Sequence, residues 1–86
     1  DLSLLIDNKV SFEELLTIAK DTEKNILKSV NLFDVYEGNK LPKGKKSYAL
    51  SFTMADESKT LIDKYVDKVM DKLMNSFKEK VGAELR

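Results

Sequence analysis

Ser47-Tyr48-Ala49-Leu50-Ser51-Phe52-Thr53-Met54 is the stretch on which the reading of this chain turns. Tyr48, Leu50, Phe52 and Met54 alternate without error with Ser47, Ala49, Ser51 and Thr53, the period of two of a strand with one buried face. Immediately upstream, Glu37 to Gly44 holds Gly38, Asn39, the single proline Pro42 and Gly44, a composition that predicts a turn-rich loop. Before the loop, Ile26 to Tyr36 is rich in strand formers, but its halves disagree about which parity is apolar. Val30 is even whereas Phe33 and Val35 are odd, which predicts a bulge near Asn31 and Leu32. The middle of the chain therefore reads as a hairpin with a long loop.

On the N-terminal side, Leu2, Leu4 and Ile6 recur at period two and Asp7-Asn8-Lys9 ends them, as expected of a first strand. Ser11 with Glu14 three residues later forms a capping-box pattern, and Phe12, Leu15, Leu16, Ile18 and Ala19 carry an apolar helical stripe to about Lys24. On the C-terminal side, Ala55 to Lys59 is a polar linker. Leu61, Ile62, Tyr65, Val66, Val69, Met70, Leu73, Met74 and Phe77 then recur at helical spacing. Gly82 is placed to end this long helix, and Ala83-Glu84-Leu85-Arg86 suits a short last strand. Strand, helix, strand, strand, helix, strand is the order of an α+β ferredoxin-like βαββαβ sandwich. Its antiparallel four-stranded sheet carries both helices on one face.

With 86 residues, one domain spanning positions 1–86 is expected. The chain has no His and no Cys, which excludes imidazole bases, thiolate nucleophiles, disulfides and His- or Cys-ligated zinc. Its 15 basic and 15 acidic side chains cancel, so any contact with nucleic acid must be local rather than bulk electrostatic. No run of residues is apolar enough for a membrane span and no signal-peptide pattern opens the chain, so a cytoplasmic setting without membrane partners is the expectation. No Walker loop, Gly-rich dinucleotide turn or nucleophile elbow is present.

In a ferredoxin-like sandwich the uncovered sheet face is the largest surface on which function can be built. If Phe33, Val35, Tyr48, Leu50 and Phe52 face the helices, the pleat turns Asp34, Tyr36, Ser47, Ala49, Ser51 and Thr53 outward. An aromatic ring among small neighbours offers its flat side to a nucleic-acid base. Ionised Asp34 beside it only accepts, which suits the two donors on guanine's Watson–Crick edge. The adjoining Lys40-Leu41-Pro42-Lys43-Gly44-Lys45-Lys46 places four lysines in seven residues, where a phosphate backbone is attracted. Plainer readings stand beside these: Tyr36 as a packing residue, the lysines as a solvated turn or edge guard, Asp34 as half of a surface ion pair. Asp63, Asp67 and Asp71 alternate with Lys64, Lys68 and Lys72, which fits a solvated helix face better than a cation site. A protein-interaction or dimerisation module is the alternative function, built on Leu5, Leu32 and the near-heptad Ile62, Val66, Val69 and Leu73.

The runs Val30-Asn31-Leu32-Phe33-Asp34-Val35-Tyr36-Glu37-Gly38, Leu41-Pro42-Lys43-Gly44-Lys45-Lys46-Ser47, Lys59-Thr60-Leu61 and Gly82-Ala83-Glu84-Leu85-Arg86 carry a closer likeness. Over essentially its whole length the chain resembles the C-terminal ferredoxin-fold anticodon-binding domain of bacterial phenylalanyl-tRNA synthetase beta subunits. It departs from that family in two places. It starts at Asp1 without the usual aromatic-Pro segment, as an N-terminally truncated fragment of a larger beta subunit would, and Ile62 stands where the family often has a capping Thr.

The resemblance implies a non-catalytic module that holds the anticodon of phenylalanine tRNA while the alpha subunit of an alpha2beta2 synthetase performs ATP-dependent aminoacylation. It implies no cofactor in this domain, with ATP and magnesium belonging to the parent enzyme. Carried over by position, it assigns Asp34, Tyr36 and Ser47 to the first anticodon base, guanine. Lys43, Lys45 and Lys46 are added as phosphate contacts from the local charge alone.

Overall fold

A computed structural model describes every residue except Asp1, Glu57 and Lys59. The start at Asp1 and the Lys59 end of the expected linker therefore lie outside the described residues. The elements are β1 (Leu2–Asp7), α1 (Phe12–Thr22), β2 (Leu27–Tyr36), β3 (Lys45–Met54), α2 (Asp63–Val81) and β4 (Glu84–Leu85). The sheet order is β2-β3-β1-β4 with every neighbouring pair antiparallel, so β1 and β2 run the same way with β3 between them. This is the ferredoxin-like arrangement the element order predicts.

Local chemistry accounts for the boundaries. Ser11 and Glu14 form the capping box: the Glu14 N–H donates to Ser11 Oγ at 3.1 Å, and the Ser11 N–H reaches the Glu14 carboxylate at 3.5 Å. α1 ends at Thr22, two residues before the expected Lys24. α2 starts behind Ile62 without a side-chain cap, so no hydroxyl replaces the one that Ile62 lacks. Gly82 ends α2 in the left-handed region at φ +67°, and its N–H donates to the Lys78 carbonyl. The next N–H, of Ala83, donates to the Phe77 carbonyl and swings the chain into β4.

The core lies between the helices and one face of the sheet. Leu4 and Ile6 of β1, Tyr48 and Leu50 of β3, Leu15, Ile18 and Ala19 of α1, and Val69, Leu73 and Phe77 of α2 are all buried there. The Thr22 hydroxyl donates to Ser76 Oγ at 2.9 Å, tying the two helices together.

Two expectations for the hairpin need correction. β2 carries two irregularities, at Lys28 between the paired Leu27 and Ser29, and at Phe33 between the paired Leu32 and Asp34. The second lies one residue beyond the predicted bulge, and the first has no counterpart in the parity argument. Phe33 and Val35 are also not core residues, being 59% and 47% exposed. Val35 shares a face with Tyr48, its cross-strand partner, yet β2 is the edge strand and leaves that position in solvent. The Lys46 side chain covers Tyr48 instead, its ammonium 4.5 Å from the ring centre. Ile62, at the open end of α2, is likewise 62% exposed rather than core.

Glu23 is buried at the exit of α1. Its carboxylate accepts the N–H groups of Asn25 at 3.0 Å and Ile26 at 3.2 Å, and lies 3.6 Å from Lys72 Nζ of α2. Burial opposes ionisation, but the two N–H groups and the lysine outweigh it and hold the pKa below the ordinary 4.5. A carboxyl with a lowered folded pKa contributes stability above its unfolded pKa, and that contribution is lost as pH falls through the folded value. Glu23→Gln is expected to cost about 1–3 kcal/mol at neutral pH. It is also expected to flatten the loss of stability below pH 4.5. Urea melts of both proteins at neutral and acid pH check this, and an equal acid loss in the two would reject it.

Candidate nucleic-acid interface

The face of the sheet away from the helices is built from cross-strand rows. One row runs Glu84, Leu5, Ser47, Tyr36 across β4, β1, β3 and β2, and the neighbouring row sets Ser3, Ala49 and Asp34 side by side. Tyr36 and Ser47 are thus direct partners, with Asp34 beside them, and the structure brings these three predicted residues together on one face. The bulge at Phe33 makes this possible. Upstream of it, even-numbered Val30 and Leu32 pair with Phe52 and Leu50 on the helix side; downstream, even-numbered Asp34 and Tyr36 point to the open side.

The three residues differ in access. Asp34 is exposed, Tyr36 half-buried, and Ser47 only 3% exposed beneath its neighbours. Tyr36 leans along the strand toward the loop, where a Cβ on Gly38 would fall 3.0 Å from the tyrosine hydroxyl and 3.2 Å from the ring. The absent side chain of Gly38 is what lets the ring lie against the backbone there.

The lysines divide. Lys45 shares the open face with Ser47, opposite Asp7 of β1, and Lys43 is exposed in the turn. That turn is closed by the Lys45 N–H donating to the Pro42 carbonyl at 3.1 Å, with Gly44 at φ +80°. Lys46 pairs with Ile6 on the opposite, helix side and is 8% exposed, so it does not join the others. The Asn8 N–H donates to the Gly44 carbonyl at 2.9 Å, which brings exposed Lys9 to the same end of the sheet. Sequence reasoning missed Lys9, because only tertiary pairing puts the first turn beside the hairpin loop.

The surfaces on which an interaction module was considered are less available. Val69 and Leu73 are consumed by the domain's own core, and Leu32 pairs with Leu50 on the helix side. Leu5 does lie on the open face, half-buried next to Ser47. Among the described residues no group of carboxylates is placed to hold a metal ion, and no helix is long and apolar enough to cross a membrane.

The arrangement offers an aromatic plane, an acceptor-only carboxylate and a hydroxyl in adjoining positions, with exposed lysines at one end. It can stack a planar group and accept hydrogen bonds from its edge at Asp34, while the Ser47 and Tyr36 hydroxyls both donate and accept and the lysines only donate.

Comparison with known proteins concerns the chain as a whole. A model of the ferredoxin-fold anticodon binding domain matches residues 1–86. The phenylalanine--tRNA ligase beta subunit of Bacteroides fragilis is 58% identical over 86 residues, which covers 100% of this chain and 10% of that protein. The subunits of the same name from Bacteroides thetaiotaomicron and Clostridium acetobutylicum are 55% and 43% identical over 86 residues, again across 100% of this chain and 10% and 11% of theirs. The chain therefore spans about a tenth of the length of the curated relatives it matches.

Proposed function

This chain belongs to the ferredoxin-fold anticodon binding domain family, and on that premise we propose that it reads the anticodon of phenylalanine tRNA for a phenylalanine–tRNA ligase. The observation that carries the reading is the juxtaposition of Tyr36, Ser47 and Asp34 on the open sheet face. Tyr36 stacks on the first anticodon base, Asp34 accepts from its Watson–Crick edge, and Ser47 contributes a hydroxyl from below. Lys43 and Lys45 attract the backbone, and their contribution falls as salt rises. Residues 1–86 act as one binding unit whose task is to position the tRNA. Aminoacylation, with its ATP and magnesium, belongs to other parts of a cytoplasmic alpha2beta2 enzyme, and those parts supply the avidity that a few lysines do not.

The test is chemical-shift mapping with two RNA hairpins, one carrying the phenylalanine anticodon and one with its first base changed. The first is expected to shift Asp34, Tyr36, Ser47 and Ala49 together with the Lys43 loop. The second is expected to keep the loop and Tyr36 shifts and to lose those of Asp34 and Ser47, which meet the edge of guanine. Shifts confined to α1 and α2 would reject the assignment.

A further inference from the structure

The Tyr36 ring already has a companion. The Arg86 N–H donates to the Ser3 carbonyl at 2.8 Å, which continues the β1–β4 ladder and sets Arg86 on the same face as Glu84, Ser47 and Tyr36. From that outer edge its guanidinium crosses the sheet and ends 5.1 Å from the centre of the Tyr36 ring. The contact links β2 to the residue that follows β4, the two outermost strands of the sheet.

We propose that Arg86 is the second wall of the base-binding site, the base being held between its guanidinium and the Tyr36 ring. The inference rests on the reading above that Tyr36 stacks on a base. Guanidinium is flat and weakly hydrated, and it stacks on aromatic rings and on nucleobases alike, which an ammonium does not. A base lying between two planes needs about 7 Å, two van der Waals contacts. The present 5.1 Å therefore corresponds to a closed slot that must open by about 2 Å.

The two walls differ in what holds them. The half-buried tyrosine lies against Gly38, whereas Arg86 is exposed and, among the described residues, is held by its backbone bond to Ser3 and by the ring contact itself, which lifting the side chain would release. The free domain thus keeps its stacking surface occupied by a cation, and the same cation closes over the base once it has entered.

The experiment uses the full-length protein that carries this chain and two anticodon hairpins, one with guanine at the first anticodon position and one abasic there. Binding is measured by fluorescence anisotropy at one salt concentration, and the readout is the ratio of the two dissociation constants. Arg86→Ala is expected to reduce the preference for the intact hairpin by about 5- to 20-fold. Arg86→Lys, which keeps the charge and loses the plane, is expected not to restore it. An unchanged ratio in Arg86→Ala overturns the proposal, as does tighter binding, which would make the arginine a competitor of the base. An equal loss on both hairpins that Arg86→Lys repairs would make it a phosphate contact and also overturns it. Tyr36→Ala separates the two levels: if it leaves the ratio unchanged, stacking on Tyr36 itself fails. If Tyr36→Ala lowers the ratio while Arg86→Ala does not, only the second wall fails.

Discussion

Tyr36→Ala is expected to weaken binding of the phenylalanine anticodon hairpin about 5- to 150-fold, the range that loss of one base–aromatic stack of 1–3 kcal/mol allows. In a complete phenylalanine–tRNA ligase the same change is expected to lower kcat/KM for tRNA charging while amino-acid activation is untouched, because the proposal has the ring meet the anticodon and not the reacting groups. Tyr36→Phe keeps the plane and is expected to stay within about threefold of the parent, since the hydroxyl only abuts the Gly38 backbone. The loss should persist at high salt, where the lysine contribution fades. Tyr36 is half-buried and outside the core, so melting of the domain should change little. Unchanged charging kinetics in Tyr36→Ala and Asp34→Ala together would defeat the assignment.

Phe77→Ala is expected to destabilise the domain by about 3–5 kcal/mol, because a fully buried ring is removed from a core that cannot collapse onto the gap. A chain of 86 residues has a total stability of about 4–13 kcal/mol, so this one change removes a large part of it. Phe77 packs with Phe52, ring centres 6.4 Å apart, and joins α2 to β3. Its carbonyl also receives the Ala83 N–H at the turn that launches β4, so core damage here reaches the strand that holds Arg86. A fall in Tm of more than about 12 °C is expected for a domain of this size, and a fall below about 5 °C would contradict the packing account. Phe77→Leu refills most of the volume and should recover much of the loss.

What was legible in the sequence was whatever short-range chemistry decides. The alternation of Ser47 to Met54, the Ser11–Glu14 box and Gly82 each determine a local conformation through neighbours within a few residues, and each stands in the structure as read. The pleat likewise placed Asp34, Tyr36 and Ser47 together, because pairing across a hairpin follows from parity once its loop is located. Properties that depend on distant chain were not legible. Whether Phe33 and Val35 are covered depends on how far the helix layer reaches, and their apolar character carries no information about that. Lys46 reads as one more loop cation until β3 is seen to start at Lys45 and to turn it toward Tyr48. Arg86 and Tyr36 come from opposite ends of the sheet order, and no local pattern marks a contact between them.

The single inserted residue at Phe33 has a wider meaning. A strand is a two-phase code in which parity decides between interior and exterior, and at Phe33 β2 changes phase for the second time, having done so first at Lys28. Its first half sets Val30 and Leu32 toward the helices and its second half sets Asp34 and Tyr36 on the open face, so folding and the proposed recognition draw on different residues of one strand. Substitutions at Asp34 or Tyr36 can therefore retune what the surface recognises without touching Val30 or Leu32. A change in the number of residues between them would exchange the two roles outright. On the proposed reading, specificity here is open to point substitution and closed to insertion or deletion, and the boundary between those regimes is one residue wide.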